Sequence, residues 1–246
     1  MMTFRIAWRE LRNLFLSPLA WCVLAVVQFV LAWMFLASVE AFRGNPASVA
    51  GVTDTVAAGL YSISSIVMLL VVPLLSMRLV AEERRSGSLA LLLSAPVRMS
   101  EIVLGKYLGL VGFLALMVAM LTLMPLSLAV GTHLDYGKLA SNVLGLLLLL
   151  GAFAAAGLYM STLTRQPVVA AISSFGLLLF LWIVNWIAQG GAAQYSALLH
   201  YLSLVDHYSS LLRGSFDSSD LAYYLLFILT FLTLSIRRLD GQRLQR

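Results

Sequence analysis

Residues 78–106 read RLVAEERRSGSLALLLSAPVRMSEIVLGK, and they separate two runs, Tyr61–Met77 and Tyr107–Val130, that contain no Asp, Glu, Lys, Arg or His. Inside the stretch a charged cluster, Glu82 to Arg85, precedes Ser86-Gly87-Ser88, the apolar run Leu89 to Leu93 and then Pro96. Ser86 to Ser88 can cap a helix and Pro96 stops one, so a short helix of Ser86 to Ala95 is expected. Such a helix is too short to cross a bilayer and too apolar to lie bare in water, so it must rest on a membrane surface or a partner protein. Ser100 and Glu101 then read as a helix start, with a capping hydroxyl and an acid in the first turn, leading through Lys106 into the next run.

The composition around this stretch excludes a soluble protein. Of 246 residues 61% are apolar and 11% charged, against roughly 45–50% and about 25% in a soluble domain. The mean hydropathy is +0.94, so the solvent for much of the chain is lipid. A net charge of +5 comes from 16 basic residues divided among separate short segments, and no single basic face is formed, which argues against nucleic acid. Cys22 stands inside an apolar run and reads as a small hydrophobe.

Six uncharged runs are membrane-span candidates: Leu19–Val39, Tyr61–Met77, Tyr107–Val130, Val143–Leu163, Val168–Ala188 and Leu221–Ile236. The fold class is therefore an all-α integral membrane protein with six transmembrane helices in one domain. The first run is too long for the core of a secretory signal peptide and is kept as a span. Six spans put both termini on one side. That side would hold thirteen Lys and Arg residues and five acids, the other three basic residues and six acids. The positive-inside rule makes the basic side, and both termini, cytoplasmic.

Residues 1–18 precede the first span, and Thr3 to Phe15 reads as an amphipathic helix at the membrane interface. Arg5, Arg9 and Arg12 share one face, Phe4, Ala7, Leu11 and Leu14 lie toward the other, Trp8 belongs to the interfacial set, and Glu10 is out of pattern. Residues 78–106 form the one substantial cytoplasmic loop. Residues 189–220 read as an outer re-entrant segment, with Leu198, Tyr201, Leu202, Val205 and Leu212 at helical spacing and His200, Ser203, His207 and Ser210 on another face.

His133, His200 and His207, with Asp135 and Asp206, all fall on the outer side. On one helix His200 and His207 would stand about 10 Å apart along the axis, too far to share an ion with bonds near 2.1 Å, and no metal is expected. The six spans as bounded hold no ionisable residue, which weighs against a proton- or ion-coupled carrier. Gln28 and Asn185 read as interhelical hydrogen-bonding groups, Pro73 and Pro125 as kink positions, and Gly105, Gly109, Gly112, Gly145, Gly151 and Gly157 as close-packing positions. Neither G-x-S-x-G nor H-E-x-x-H occurs. Gly105-Lys106 is not a phosphate-binding loop, because position 100 is Ser and position 107 is Tyr.

The 78–106 stretch resembles the membrane subunits of type-2 ABC exporters. The matching residues are Glu82, Glu83, Arg84, Arg85, Gly87, Ser88, Leu89, Leu91, Leu92, Leu93, Pro96, Val97, Gly105 and Lys106. Within the class the chain is most similar to gliding-motility-type permeases, then to those for maturation of nitrous oxide reductase, although Ser88-Leu89-Ala90 stands where that pattern often has Thr-Leu-Glu. The resemblance covers essentially the whole chain. It implies the type-2 permease fold, in which the short helix is a coupling helix. Leu89, Leu92 and Leu93 would sit in a groove of a cytoplasmic ABC ATPase, with Glu82 to Arg85 pairing at its rim and Gly87, Ser88 and Pro96 shaping the turn.

It further implies no cofactor on this chain, ATP and Mg being held by the ATPase. A second copy or a homologous permease would complete the path, with membrane lipid and an accessory periplasmic or membrane protein as further partners. Residence would be in a bacterial inner membrane, and the output export or mechanical work. The alternatives are a small secondary carrier and a non-transporting scaffold for an ATPase-driven surface machine.

Overall fold

The structure, a computed structural model, describes residues 2–44, 51–88, 98–189 and 203–244, and among them it is helical with no strand. In chain order the helices are α1 (Met2–Leu16), α2 (Pro18–Gly44), α3 (Ala58–Ser76), α4 (Ala81–Ser86), α5 (Met99–Ser127), α6 (Tyr136–Leu163), α7 (Pro167–Gln189), α8 (Leu204–Leu212) and α9 (Ser218–Leu244). A π-helical turn, Thr53–Ala57, leads into α3. Six of these segments are long and apolar enough to cross a membrane: α2, the stretch of α3 with its flanking turns, α5, α6, α7 and α9.

The helices overrun the uncharged runs because charged residues are taken in at their ends. Glu101 and Lys106 lie on α5, Lys138 on α6, and Arg237, Arg238 and Asp240 on α9. The start of α5 differs from the expectation at Ser100. Arg98 is the extended residue before the helix, and the Glu101 carboxylate accepts from its backbone N–H at 3.3 Å. An acid three residues past the cap satisfies a backbone donor that the helix cannot.

Helix α6 is the axis of the bundle. Ala152 through Ala156 and Leu158 are all at most 1% exposed, so this turn and a half is covered on every side. Helices α3, α5, α7, α8 and α9 all pack on it. Small residues make this possible: Gly157 faces the Ser76 side chain of α3, Gly151 the Tyr107 hydroxyl, and Gly145 the Leu211 side chain of α8. A backbone without side chains lets helices approach closely enough for dense van der Waals contact, the main force between helices in lipid.

The peripheral helices are one-sided. On α2 the residues Ala20, Leu24, Val27, Leu31 and Phe35 are buried at helical spacing, whereas Trp21, Val26, Phe29, Trp33 and Leu36 are exposed. The same exposed apolar surface continues on α7 (Val168, Ile172, Phe180) and α9 (Leu225, Leu226, Leu229). Uncovered apolar faces of this extent are stable against lipid tails and not against water. Gln28 on α2 donates to the Met117 carbonyl of α5 at 2.9 Å, a hydrogen bond between neighbouring spans. Asn185 lies in a part of α7 whose side chains fall outside the described residues.

Candidate coupling site and its charge network

Helix α4 is six residues long, and its neighbours hold it. The backbone N–H groups of Val80 and Ala81 donate to the Ser161 hydroxyl of α6 at 3.1 and 3.0 Å. That hydroxyl in turn donates to the Met77 carbonyl at 3.0 Å. Ser161 is fully buried, so a residue on another helix satisfies donors that a local capping side chain would ordinarily take. Gly87 closes α4 with φ 77°, a left-handed conformation that glycine adopts without a Cβ clash. The expectation that Ser86-Gly87-Ser88 opens a helix at Ser86 is thus corrected: Ser86 ends one, Gly87 breaks it, and helix resumes at Ser88. Leu89, Leu92, Leu93 and Pro96 lie outside the described residues.

The four charges of α4 point in four directions. Glu82 pairs with Arg78 at 3.8 Å on the exposed side. Glu83 turns inward to Lys106 of α5 at 2.7 Å. Arg84 donates to the Gln242 side chain of α9, and Arg85 is exposed without a side-chain partner among the described residues. The resemblance places all four at an ATPase rim, but the structure commits Glu83 and Arg84 to partners in their own chain.

Lys106 is the centre of this network. Its side chain is 2% exposed, and besides Glu83 it contacts the Glu10 carboxylate of α1 at 2.9 Å. A buried ammonium is tolerated only when paired and hydrogen-bonded, and two carboxylates from two other elements meet that condition. Glu10 is therefore not a defect in the amphipathic pattern of α1: it is 9% exposed and faces the protein. The pattern has three faces instead of two. Ile6, Ala7, Glu10 and Leu14 pack inward, Phe4 and Trp8 are exposed apolar residues, and Arg5, Arg9 and Arg12 are exposed on a third side. The earlier grouping of Phe4 with Ala7, Leu11 and Leu14 is corrected accordingly.

Gly105, Gly109 and Gly112 of α5 form the trough in which α1 lies. A Cβ at Gly105 would come within 2.6 Å of the Ile6 side chain, and one at Gly109 within 2.7 Å of Glu10 Cβ. Beside the network a cavity of about 230 Å³ is bordered by Glu10, Asn13, Arg78, Glu82, Glu83 and Lys106.

At the opposite end of the bundle α8 is anchored by three buried hydroxyls. Tyr208 donates to the Tyr61 carbonyl at 2.9 Å, Tyr224 to the Leu204 carbonyl at 2.7 Å and Ser141 to the Leu211 carbonyl at 2.7 Å. Burial pushes the Tyr208 phenol well above its ordinary range, which keeps it protonated as a donor. His207 Nδ1 lies 2.6 Å from Asp220 Oδ1, and the ring stacks on Tyr223. Among the described residues no group of three or more His, Cys, Asp or Glu side chains could hold a metal ion. His200 lies outside them. Lys138 closes the same end on Asp54 at 2.8 Å.

A bundle of six lipid-length helices with a charged, separately anchored turn at one end is the architecture of a multi-pass membrane protein. The model of the ABC-2 family transporter proteins matches residues 4–244, and the chain belongs to that family. Comparison with individually curated proteins finds no match.

Proposed function

We propose that this chain is the permease subunit of an ATP-binding cassette transporter, taking work from a separate ATPase subunit at the loop that follows α4. The observation that carries the reading is the anchoring of α4. Through Lys106 it is tied to α5 and α1, through Ser161 to α6, and through Arg84 to α9. A force applied to the segment just beyond Gly87 therefore reaches four helices at once. A loop that merely joined α3 to α5 would not need those ties.

In this reading Leu89, Leu92 and Leu93 enter a groove on the ATPase, and closure of two ATPase subunits moves α4 with the helices bound to it. ATPase binding drives the permease only to the extent that the two permease states bind it with different affinity. A second copy or a homologous chain completes the path, the arginine-rich end faces the cytoplasm, and cargo leaves across an inner membrane, with gliding-motility-type permeases as the subfamily it is most similar to. Lys106 is buried in α5 one residue before the uncharged run Tyr107–Val130, so the runs as bounded hold no ionisable residue while the helix itself does. Its two ion pairs tie it to α1 and α4, a structural use from which the carrier alternative gains nothing.

The test is co-purification. Expressed with the ATPase encoded beside it and extracted in mild detergent, the chain should bring that ATPase down. Leu89→Asp with Leu92→Asp should abolish the association while membrane insertion persists. Association unchanged in the double variant would overturn the coupling assignment.

A further inference from the structure

The arginine-rich end carries a second feature, which shares Arg84 and Arg85 with the coupling reading and extends beyond it. A cavity of about 550 Å³ is lined by Arg84, Arg85, Arg165, Gln166, Pro167 and Val168, where α4 meets the start of α7. Arg238 of α9 acts electrostatically on Arg84, as does Arg165. Among the described residues nothing neutralises the group. Among the described residues Arg84, Arg85, Arg165 and Arg238 have no carboxylate within ion-pair distance: Glu82 is taken by Arg78, Glu83 by Lys106, and Asp240 forms no pair. Arg84 is held by Gln242 through one Nη, but its buried Nε has no hydrogen-bond partner. Like charges gathered around a hollow are mutually destabilising unless an anion joins them, and guanidinium donors match phosphate geometry better than any other side chain.

The surroundings specify where that anion comes from. Immediately below the arginines, α7 turns an uncovered apolar strip outward: Val168 is 65% exposed, and Val169 and Ile172 continue it. A ligand seated here would have its charged group against arginines and the rest of its length along apolar surface. That is the shape of a lipid at the membrane interface, where basic pockets between helices take phosphate headgroups.

We propose that this cavity binds the phosphate of an anionic membrane lipid of the phosphatidylglycerol type. Arg84 and Arg165 contact the headgroup, Arg85 and Arg238 raise the local potential, and Val168, Val169 and Ile172 lie along the acyl chain. The site shares Arg84 and Arg85 with the coupling region but uses none of the leucines assigned to the ATPase, so lipid binding and ATPase association are separately testable. It ties α4, α7 and α9 together from the lipid side.

The experiment uses the full chain, with any ATPase that accompanies it, stripped of lipid in detergent and exposed to equal amounts of phosphatidylglycerol and phosphatidylcholine. The ratio retained is read by mass spectrometry of the extracted lipid. The parent should favour phosphatidylglycerol. Arg165→Gln should lower that preference about fivefold, and Arg84→Gln with Arg165→Gln about twenty-fivefold, at roughly one surface charge contact per arginine. Arg213→Gln, at the opposite end, should leave it unchanged. Arg165 is exposed, so its single variant keeps the test decisive should the double variant not fold. Equal retention of both lipids by the parent, or an undiminished preference in Arg165→Gln, would overturn the proposal. So would full competition by free glycerol phosphate at matched concentration, which would make the ligand a soluble phosphate. Loss of ATPase association in Arg165→Gln with lipid preference intact would assign the arginines to a protein surface instead.

Discussion

The Lys106 ammonium of α5 lies 2.9 Å from the Glu10 carboxylate of α1, two residues 96 positions apart in the chain. The helix expected to float at the membrane surface is thereby bolted to the first turns of a span. The same ammonium holds Glu83, so α1 and α4 cannot move independently while Lys106 is in place. Replacing Lys106 by Met leaves two largely buried carboxylates facing each other without their cation. Removing one partner of a buried pair costs about 3–5 kcal/mol. A fall in thermal midpoint is expected, with partial recovery when Glu10→Gln and Glu83→Gln are added. A triple variant no more stable than Lys106→Met would show that charge pairing is not what holds the three elements together.

Ser161→Ala removes one buried hydroxyl and strands two backbone donors, those of Val80 and Ala81. With about 1–3 kcal/mol for each unsatisfied buried group, α4 should loosen while the bundle persists. Hydrogen exchange at residues 78–88 should accelerate and that of α6 should not. Uniform acceleration would mean that Ser161 supports the whole core.

The span positions were legible because lipid imposes a simple rule: about 20 residues without charge. The six runs correspond to six helices, but which of them is central was not legible: Gly145, Gly151 and Gly157 marked close packing without saying against what. Glu10 was illegible for a physical reason. An amphipathic pattern is read against two media, lipid and water, whereas α1 faces three, and a carboxylate toward a buried ammonium looks like an error until Lys106 is placed. Ser161 carried no signal at all, because a hydroxyl that caps a distant helix has the same sequence as any small residue in a span. Gly105, four residues from Gly109, was the available hint that something lay close against α5.

Gly109→Val tests that trough. A Cβ there would come within 2.7 Å of Glu10 Cβ, and the contact is with the stem of a residue already fixed by Lys106, so α1 must lift. Limited proteolysis should cut between residues 5 and 12, at the exposed arginines, in Gly109→Val. Gly112→Ala, where the nearest atom is a Leu11 methyl at 3.6 Å, should resist like the parent. Equal resistance in both variants would show that α1 accommodates the branch without moving.

The His207 and Asp220 pair closes the opposite end, and its two halves should not be equivalent. Asp220 is 5% exposed and its second oxygen has no partner among the described residues, so the side-chain hydrogen bond that holds its carboxyl group is the 2.6 Å contact with His207. His207→Ala leaves a buried carboxyl group without its hydrogen-bond partner, whereas Asp220→Asn puts in its place an amide that still reaches the ring. The expected order is a loss of about 1–3 kcal/mol for His207→Ala and a smaller loss for Asp220→Asn, with the double variant His207→Ala, Asp220→Asn recovering part of the difference. Thermal unfolding in one detergent, at one pH near neutrality, measures all three. Because Tyr208 and Tyr224 anchor α8 beside the pair through bonds to Tyr61 and Leu204, the bundle should remain assembled in each variant. Equal losses from both single substitutions would mean that an amide at position 220 does not keep the hydrogen bond to His207.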